Sequence, residues 1–178
     1  NECYIEDIIE GSLDDEVCIK MGDMHLRKVR EILGRRVYKN VFTGIFVKTS
    51  CNKCIETAIK ITRDKFKIVD RNDLVNLDNQ TFEKYFDIYS EDSNLAYRIL
   101  TADVMKSLMD FYTKYELDFE IVFKENNIYI RFFTGNMFEP KVFGNSMDRN
   151  LILFYYTILN FILDLTKSVN HVLENLEI

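Results

Sequence analysis

The sequence holds a single proline, six glycines, no tryptophan and two histidines in 178 residues. So little Pro and Gly excludes collagen-like, low-complexity and linker-dominated chains. His25 and His171 are remote in sequence and neither lies beside a nucleophile motif. A G-x-S-x-G elbow, a phosphate-cradling glycine loop and an H-E-x-x-H pair are all missing, which removes the commonest hydrolase, nucleotide and zinc-protease signatures. The opening residues, Asn1-Glu2-Cys3-Tyr4-Ile5-Glu6, are acidic where a secretory signal would be basic. The longest apolar region, residues 151–165, is broken by Thr157, Asn160 and Asp164. It falls short of the ~20 apolar residues of a membrane-spanning helix, so a soluble chain is expected.

What is present is core material. Hydrophobic residues make up 47% of the chain, with 14 Phe and 10 Tyr. A chain of this length buries roughly two thirds of its unfolded surface, so neither a metal nor a disulfide is needed, and residues 1–178 are expected to form a single domain. The charge of -6 disfavours sequence-independent nucleic-acid binding. One tract runs against it: Arg27, Lys28, Arg30, Arg35, Arg36 and Lys39. It reads either as a solvated loop between strands or as a patch facing anionic lipid, where each basic residue is worth about 1 kcal/mol.

Cysteine chemistry centres on Cys51 and Cys54, a C-x-x-C. Zinc would need a second close ligand pair, and Cys3 and Cys18 do not form one. A redox pair would sit at a helix N-terminus, where the dipole lowers the thiol pKa; here the flanking residues read as strands. No catalytic, cofactor-binding or metal-ligating residue is therefore expected.

Val17, Ile19 and Met21 alternate with polar neighbours as in a half-buried strand. Residues 41–47 suit a central strand buried on both faces, Val41, Ile45 and Val47 against Phe42 and Phe46, with Gly44 where a neighbour comes close. Residues 57–62 and 66–69 are shorter strand candidates, and 27–39 a hairpin connection or short helix between strands. Phe86–Ser90 is predicted as a strand, Ser93 as a helix cap, and Thr101 as the N-cap of a helix to Tyr115 with Asp103 in its first turn. Val104, Met105, Leu108, Met109 and Tyr112 make its apolar stripe. Residues 118–124 and 128–133 are predicted to form a hairpin about Asn126-Asn127. Pro140, Gly144 and Asn145 mark a loop, and Asp148 caps a long helix toward Glu174. The start of that helix, from Leu151 to Ile162, is apolar all round and predicted to be buried on several sides; a homodimer contact or a contact with a segment outside this sequence is the alternative.

Residues 82–101, with Phe82-Glu83, Phe86-Asp87-Ile88-Tyr89 and Ile99-Leu100-Thr101, resemble the bacterial domain-of-unknown-function family 3137. Met105, Met137-Phe138-Glu139-Pro140 and the Phe42 to Phe46 strand extend the similarity over about residues 40–165. Ala96-Tyr97-Arg98 transposes the usual aromatic and Arg. Cys51-Asn52-Lys53 stands where members carry Phe-Asn-Lys, so Cys51 replaces an aromatic as a packing residue. The resemblance supplies no mechanism. It implies placement, since members often carry two hydrophobic helices ahead of this domain, which would hold it at the cytoplasmic face of a membrane as the soluble part of a longer protein.

The expected fold is α+β: a mainly antiparallel sheet with a mid-chain helix and a long C-terminal helix packed on it. The expected function is a non-catalytic cytosolic module of a membrane-associated bacterial protein, binding a protein partner or small ligand. The rival is an enzyme, either thiol-based through Cys51 and Cys54 or of a type without a recognisable sequence signature.

Overall fold

In a computed structural model the described residues are 1–13, 17–63, 73–135 and 149–176. The alternation at Val17, Ile19 and Met21 opens a strand much longer than predicted, β2 (Val17–Ile32), which pairs antiparallel with β1 (Glu2–Leu13) and with β3 (Arg35–Arg63). The 29-residue β3 is the spine of the sheet. Beyond it come β4 (Leu74–Val75), α1 (Gln80–Glu83), β5 (Phe86–Ser90), α2 (Ser93–Ile99), α3 (Ala102–Tyr115), β6 (Phe119–Phe132) and α4 (Arg149–Asn175). The order is β1-β2-β3-β5-β4, with β6 also paired to β3 and every pairing antiparallel. This is the predicted α+β architecture.

The mid-chain helix forms as its sequence dictates. The Thr101 side chain accepts from the Val104 amide, Asp103 lies in the first turn, and Glu116 ends the helix in the left-handed region. Val104, Leu108 and Phe111 are buried, with Met105, Met109 and Tyr112 packed beside them. Asp92 rather than Ser93 caps α2, its Oδ1 accepting from the Leu95 amide at 3.0 Å. In the transposed Ala96-Tyr97-Arg98, Ala96 packs fully inward and Tyr97 stays largely exposed. The 66–69 strand, the loop at Pro140, Gly144 and Asn145, Met137–Pro140 and the Asp148 cap all lie outside the described residues.

Three further expectations are corrected. Residues 118–133 do not fold back as a hairpin: β6 is one continuous strand laid along β3. Ile121, Phe123, Ile130 and Phe132 share the core face, and the switch of parity between them is absorbed at Glu125, whose φ is 54°. Residues 41–47 are not buried at every position, because Val41 is the extra residue of a bulge that pairs Leu26 with Phe42 and Arg27 with Asn40. Val41 is accordingly half exposed. Gly44 does sit at a close approach: at φ 155°, a Cβ there would lie 2.1 Å from the Phe132 carbonyl oxygen.

The third correction concerns α4. Its later turns are core, with Ile158, Phe161, Ile162, Leu165, Val169 and Leu173 buried. Phe161 stacks on Phe111 with centroids 4.0 Å apart and reaches Phe119 and Phe132, joining both long helices to β6. The first turns are not buried on several sides, for Ile152, Leu153 and Tyr156 are at least half exposed. By length and composition α4 is also apolar enough to cross a membrane, which a count of the uninterrupted apolar run did not register.

Candidate functional site: a basic hairpin arm

The tract 27–39 is no helix; it is the hairpin connection, but built as strand on both sides of a two-residue turn. It is the far end of the β2–β3 hairpin, where the strands outrun the sheet. Registry continues through five rungs, Lys28–Lys39, Val29–Tyr38, Arg30–Val37, Glu31–Arg36 and Ile32–Arg35. Among the described residues β1 stops pairing at Arg27 and β6 at Ile45, so no third strand flanks these rungs. At ~3.4 Å per residue the ribbon reaches about 17 Å beyond the sheet.

Leu33 (φ 52°) and Gly34 (φ 73°) close the arm in a two-residue turn. Positive φ at both central positions defines the type I′ turn, whose twist matches the flanking strands. Gly34 meets that requirement without strain. Leu33 does not: a Cβ in the left-handed region costs about 1–2 kcal/mol, and burial returns nothing, since Leu33 is 99% exposed.

Directly opposite residues of an antiparallel pair share a face. One face of the arm therefore carries Lys28, Lys39, Arg30, Arg35, Val37 and Ile32, with no anion among them. The opposite face carries Val29, Tyr38, Glu31 and Arg36. Lys28 directly across from Lys39 is a like-charge pair, which destabilises a sheet. Among the described residues none of the five arm cations, Lys28, Arg30, Arg35, Arg36 and Lys39, has a carboxylate within 4 Å. Five cations and one anion give residues 28–39 a net +4, so with -6 for the whole chain the remainder carries -10.

The cysteine stretch has a different role. Where β3 spends residues 51–54, β6 spends only Asn126, so the C-x-x-C is a bulge. From it the Asn52 amide donates to Asn170 Oδ1 at 3.1 Å and Asn52 Nδ2 to Glu174 Oε1 at 3.0 Å. Lys53 Nζ donates to the carbonyls of Leu176 at 2.8 Å and Glu174 at 3.3 Å, a cation satisfying the orphan acceptors at the end of α4. Cys51 packs in the core and Cys54 is exposed. Burial pushes the Cys51 thiol up to about 12, the reverse of an activated thiolate. All four cysteines are free.

Of the remaining sequence features, His171 is exposed and His25 half-buried. No group of three metal-ligating side chains occurs among the described residues. An open groove of about 550 Å³ runs between α3 and α4, lined by charges of both signs, among them Asp103, Lys106, Asp110 and Lys114. There the Lys114 and Thr157 hydrogen bonds hold the Tyr115 phenol below its ordinary range. Among the described residues the arm stands out by its excess of positive charge and by side chains that the core does not enclose. Its charge was readable in the sequence; its geometry was not.

A family model described as a protein of unknown function, DUF3137, matches residues 40–171. No curated protein matches the sequence. Among solved structures, the mycobacterial trehalose monomycolate transport factor A is similar, with a TM-score of 0.56 at 9% identity over 97% of this chain and 74% of that one. At that identity the likeness is one of fold.

Proposed function

Because the chain belongs to the DUF3137 family of proteins of unknown function, a name that carries no chemistry, we propose from its arm that it is a non-catalytic cytosolic binding module working at a membrane, with anionic lipid as the ligand of the arm. The observation that carries this reading is the separation of charge: +4 on the exposed rungs 28–39, which no third described strand flanks, and -10 on the rest. At about 1 kcal/mol per basic residue beside an anionic leaflet, the arm supplies several kcal/mol. The acidic remainder opposes this weakly, for a ~17 Å reach exceeds the ~8 Å Debye length at physiological ionic strength. The net charge that disfavours polyanion binding is thus screened from the surface the arm touches. The placement implied by the family resemblance supports the same reading, as does the fold shared with the mycobacterial trehalose monomycolate transport factor A.

The test is co-sedimentation with vesicles of phosphatidylcholine alone or with added phosphatidylserine. Binding is expected only to the anionic vesicles, to weaken steeply with salt, and to vanish when Lys28, Arg30, Arg35 and Lys39 are all changed to Glu. Equal binding to neutral vesicles, or full binding by the Glu variant, contradicts the reading. A second reading, a homodimer through α4, rests on the exposed stripe of Ile152, Tyr156 and Leu159. Light scattering across a concentration series decides it: a monomer mass at every concentration removes the dimer.

A further inference from the structure

We infer that the tip of the arm, Ile32 and Leu33, enters the acyl boundary of the anionic bilayer, so that the hairpin is a wedge rather than a purely electrostatic tether. This rests on reading the arm as an anionic-lipid contact, and it goes further by assigning the apolar part of the ligand.

Charge alone does not account for the tip. Leu33 is 99% and Ile32 53% exposed, and they occupy the one place on the arm that meets a surface first. Leu33 also holds a backbone conformation that Asn or Gly adopts with less strain. A polyanion reader would gain nothing from a strained leucine there; a bilayer would take up its side chain.

The spacing of the remaining residues fits a shallow insertion. Interfacial segments bury their apolar groups about 5–10 Å into the headgroup and acyl boundary. With ~3.4 Å per rung, Arg36 sits one rung behind Ile32 and Arg30 two, at headgroup depth when the tip is immersed. Arg35, level with Ile32, has a side chain long enough to snorkel back to the phosphates. Tyr38, about half exposed and three rungs behind Ile32, carries the amphipathic ring enriched at membrane interfaces. Lys28 and Lys39 follow on the last rung, facing the leaflet surface from outside. Apolar tip, arginine girdle, tyrosine and lysines thus succeed one another along one ribbon in the order of decreasing depth.

The absence of tryptophan gives a direct test. Leu33→Trp places a single indole at the tip without disturbing the core. On adding phosphatidylserine vesicles its emission is expected to shift to the blue, resist acrylamide and be quenched by lipids brominated along the acyl chain. Leu33→Asn, which suits the turn, is expected to lower vesicle affinity roughly tenfold to a hundredfold, the loss of one buried leucine, while leaving retention on heparin unchanged. If the wild type sediments with vesicles but the indole emission of Leu33→Trp stays water-like and Leu33→Asn binds as well, insertion is wrong and the electrostatic reading stands. If the wild type does not sediment at all, the underlying reading fails. Tight binding to nucleic acid with the indole still exposed to acrylamide overturns both. Far-ultraviolet spectra and thermal midpoints no lower than the wild type's establish that each variant is folded.

Discussion

The helix-covered body and the arm treat the same residue types in opposite ways. In the body, cations that lose water gain partners. Arg63, only 5% exposed, donates to Asp118 Oδ1 at 3.0 Å, to the Tyr85 carbonyl at 3.1 Å and to the Tyr112 hydroxyl at 2.6 Å. Arg131 and Lys60 both pair with the buried Glu120. The aromatic core there is enclosed, as Phe119, Phe123 and Phe132 are, although β1 and the first turns of α4 leave Ile8, Ile9, Ile152 and Leu153 exposed. In the arm five cations have no carboxylate partner among the described residues, and Ile32, Leu33, Val37 and Tyr38 are exposed by about half or more. Body residues answer to packing and desolvation; the arm's composition is free of both, so it reports on what the arm meets.

The contrast breaks first at Gly44. Adding a methyl group in Gly44→Ala forces the β3–β6 ladder apart at the Phe132 carbonyl, in a conformation that L-residues avoid. A loss of about 4 kcal/mol is expected from urea unfolding. A loss below about 1 kcal/mol would mean that the spine of the sheet yields as easily as the arm. Arg63→Met comes next. It leaves Asp118 and the Tyr112 hydroxyl without their donor and removes a guanidinium 3.7 Å from the Tyr112 ring centroid. Breaking such a buried pair costs about 3 kcal/mol, whereas Arg30→Met in the arm is expected to stay within about 0.5 kcal/mol. Equal losses at the two sites would erase the distinction.

Cys51 sharpens the comparison by titration. Burial holds its folded-state pKa near 12, against an ordinary value of 9.0. The neutral thiol is therefore favoured in the folded chain, and its contribution is intact below about pH 9. Between about pH 9 and 12 the unfolded chain ionises while the folded one does not, so stability falls with rising pH by roughly 1 kcal/mol per unit. Wild type and Cys51→Ala should diverge over that window by this slope. Parallel curves would place Cys51 in contact with water, like exposed Cys54.

How much of this was legible follows from which residues contact the core. Thr101 and the Val104, Leu108 stripe announce α3 because a helix buries one face throughout its length. Phe86–Ser90 is read to the residue, since its alternation is unbroken. The hairpin misreading at Asn126-Asn127 has a physical cause. Local alternation shows that parity changes near residue 125, and both a turn and a bulge change parity; only the long-range partner β3 tells them apart. The same reason hides the unity of β3, whose pairing with β6 shifts on either side of Ile55. The arm is hidden more deeply, because strands exposed on both faces leave no periodic signal. Its cations could be counted in the sequence, but their projection of about 17 Å depends on where the neighbouring strands stop.

The smallest expected effect carries the comparison furthest, because stability and binding should move in opposite directions. Leu33→Asn replaces a strained, exposed leucine by the non-glycine residue that best tolerates positive φ. Since the side chain contributes no packing, relieving strain should stabilise the chain by about 0.5–1 kcal/mol, seen as a rise in thermal midpoint. In the body, a polar substitution of any comparable leucine, such as the fully buried Leu108, can only destabilise. A rise in midpoint with a fall in vesicle affinity would show that Leu33 is kept at the expense of folding for a purpose outside the fold. A fall in midpoint would mean that Leu33 packs against the arm after all, and the tip would lose its claim as a site shaped by what it touches.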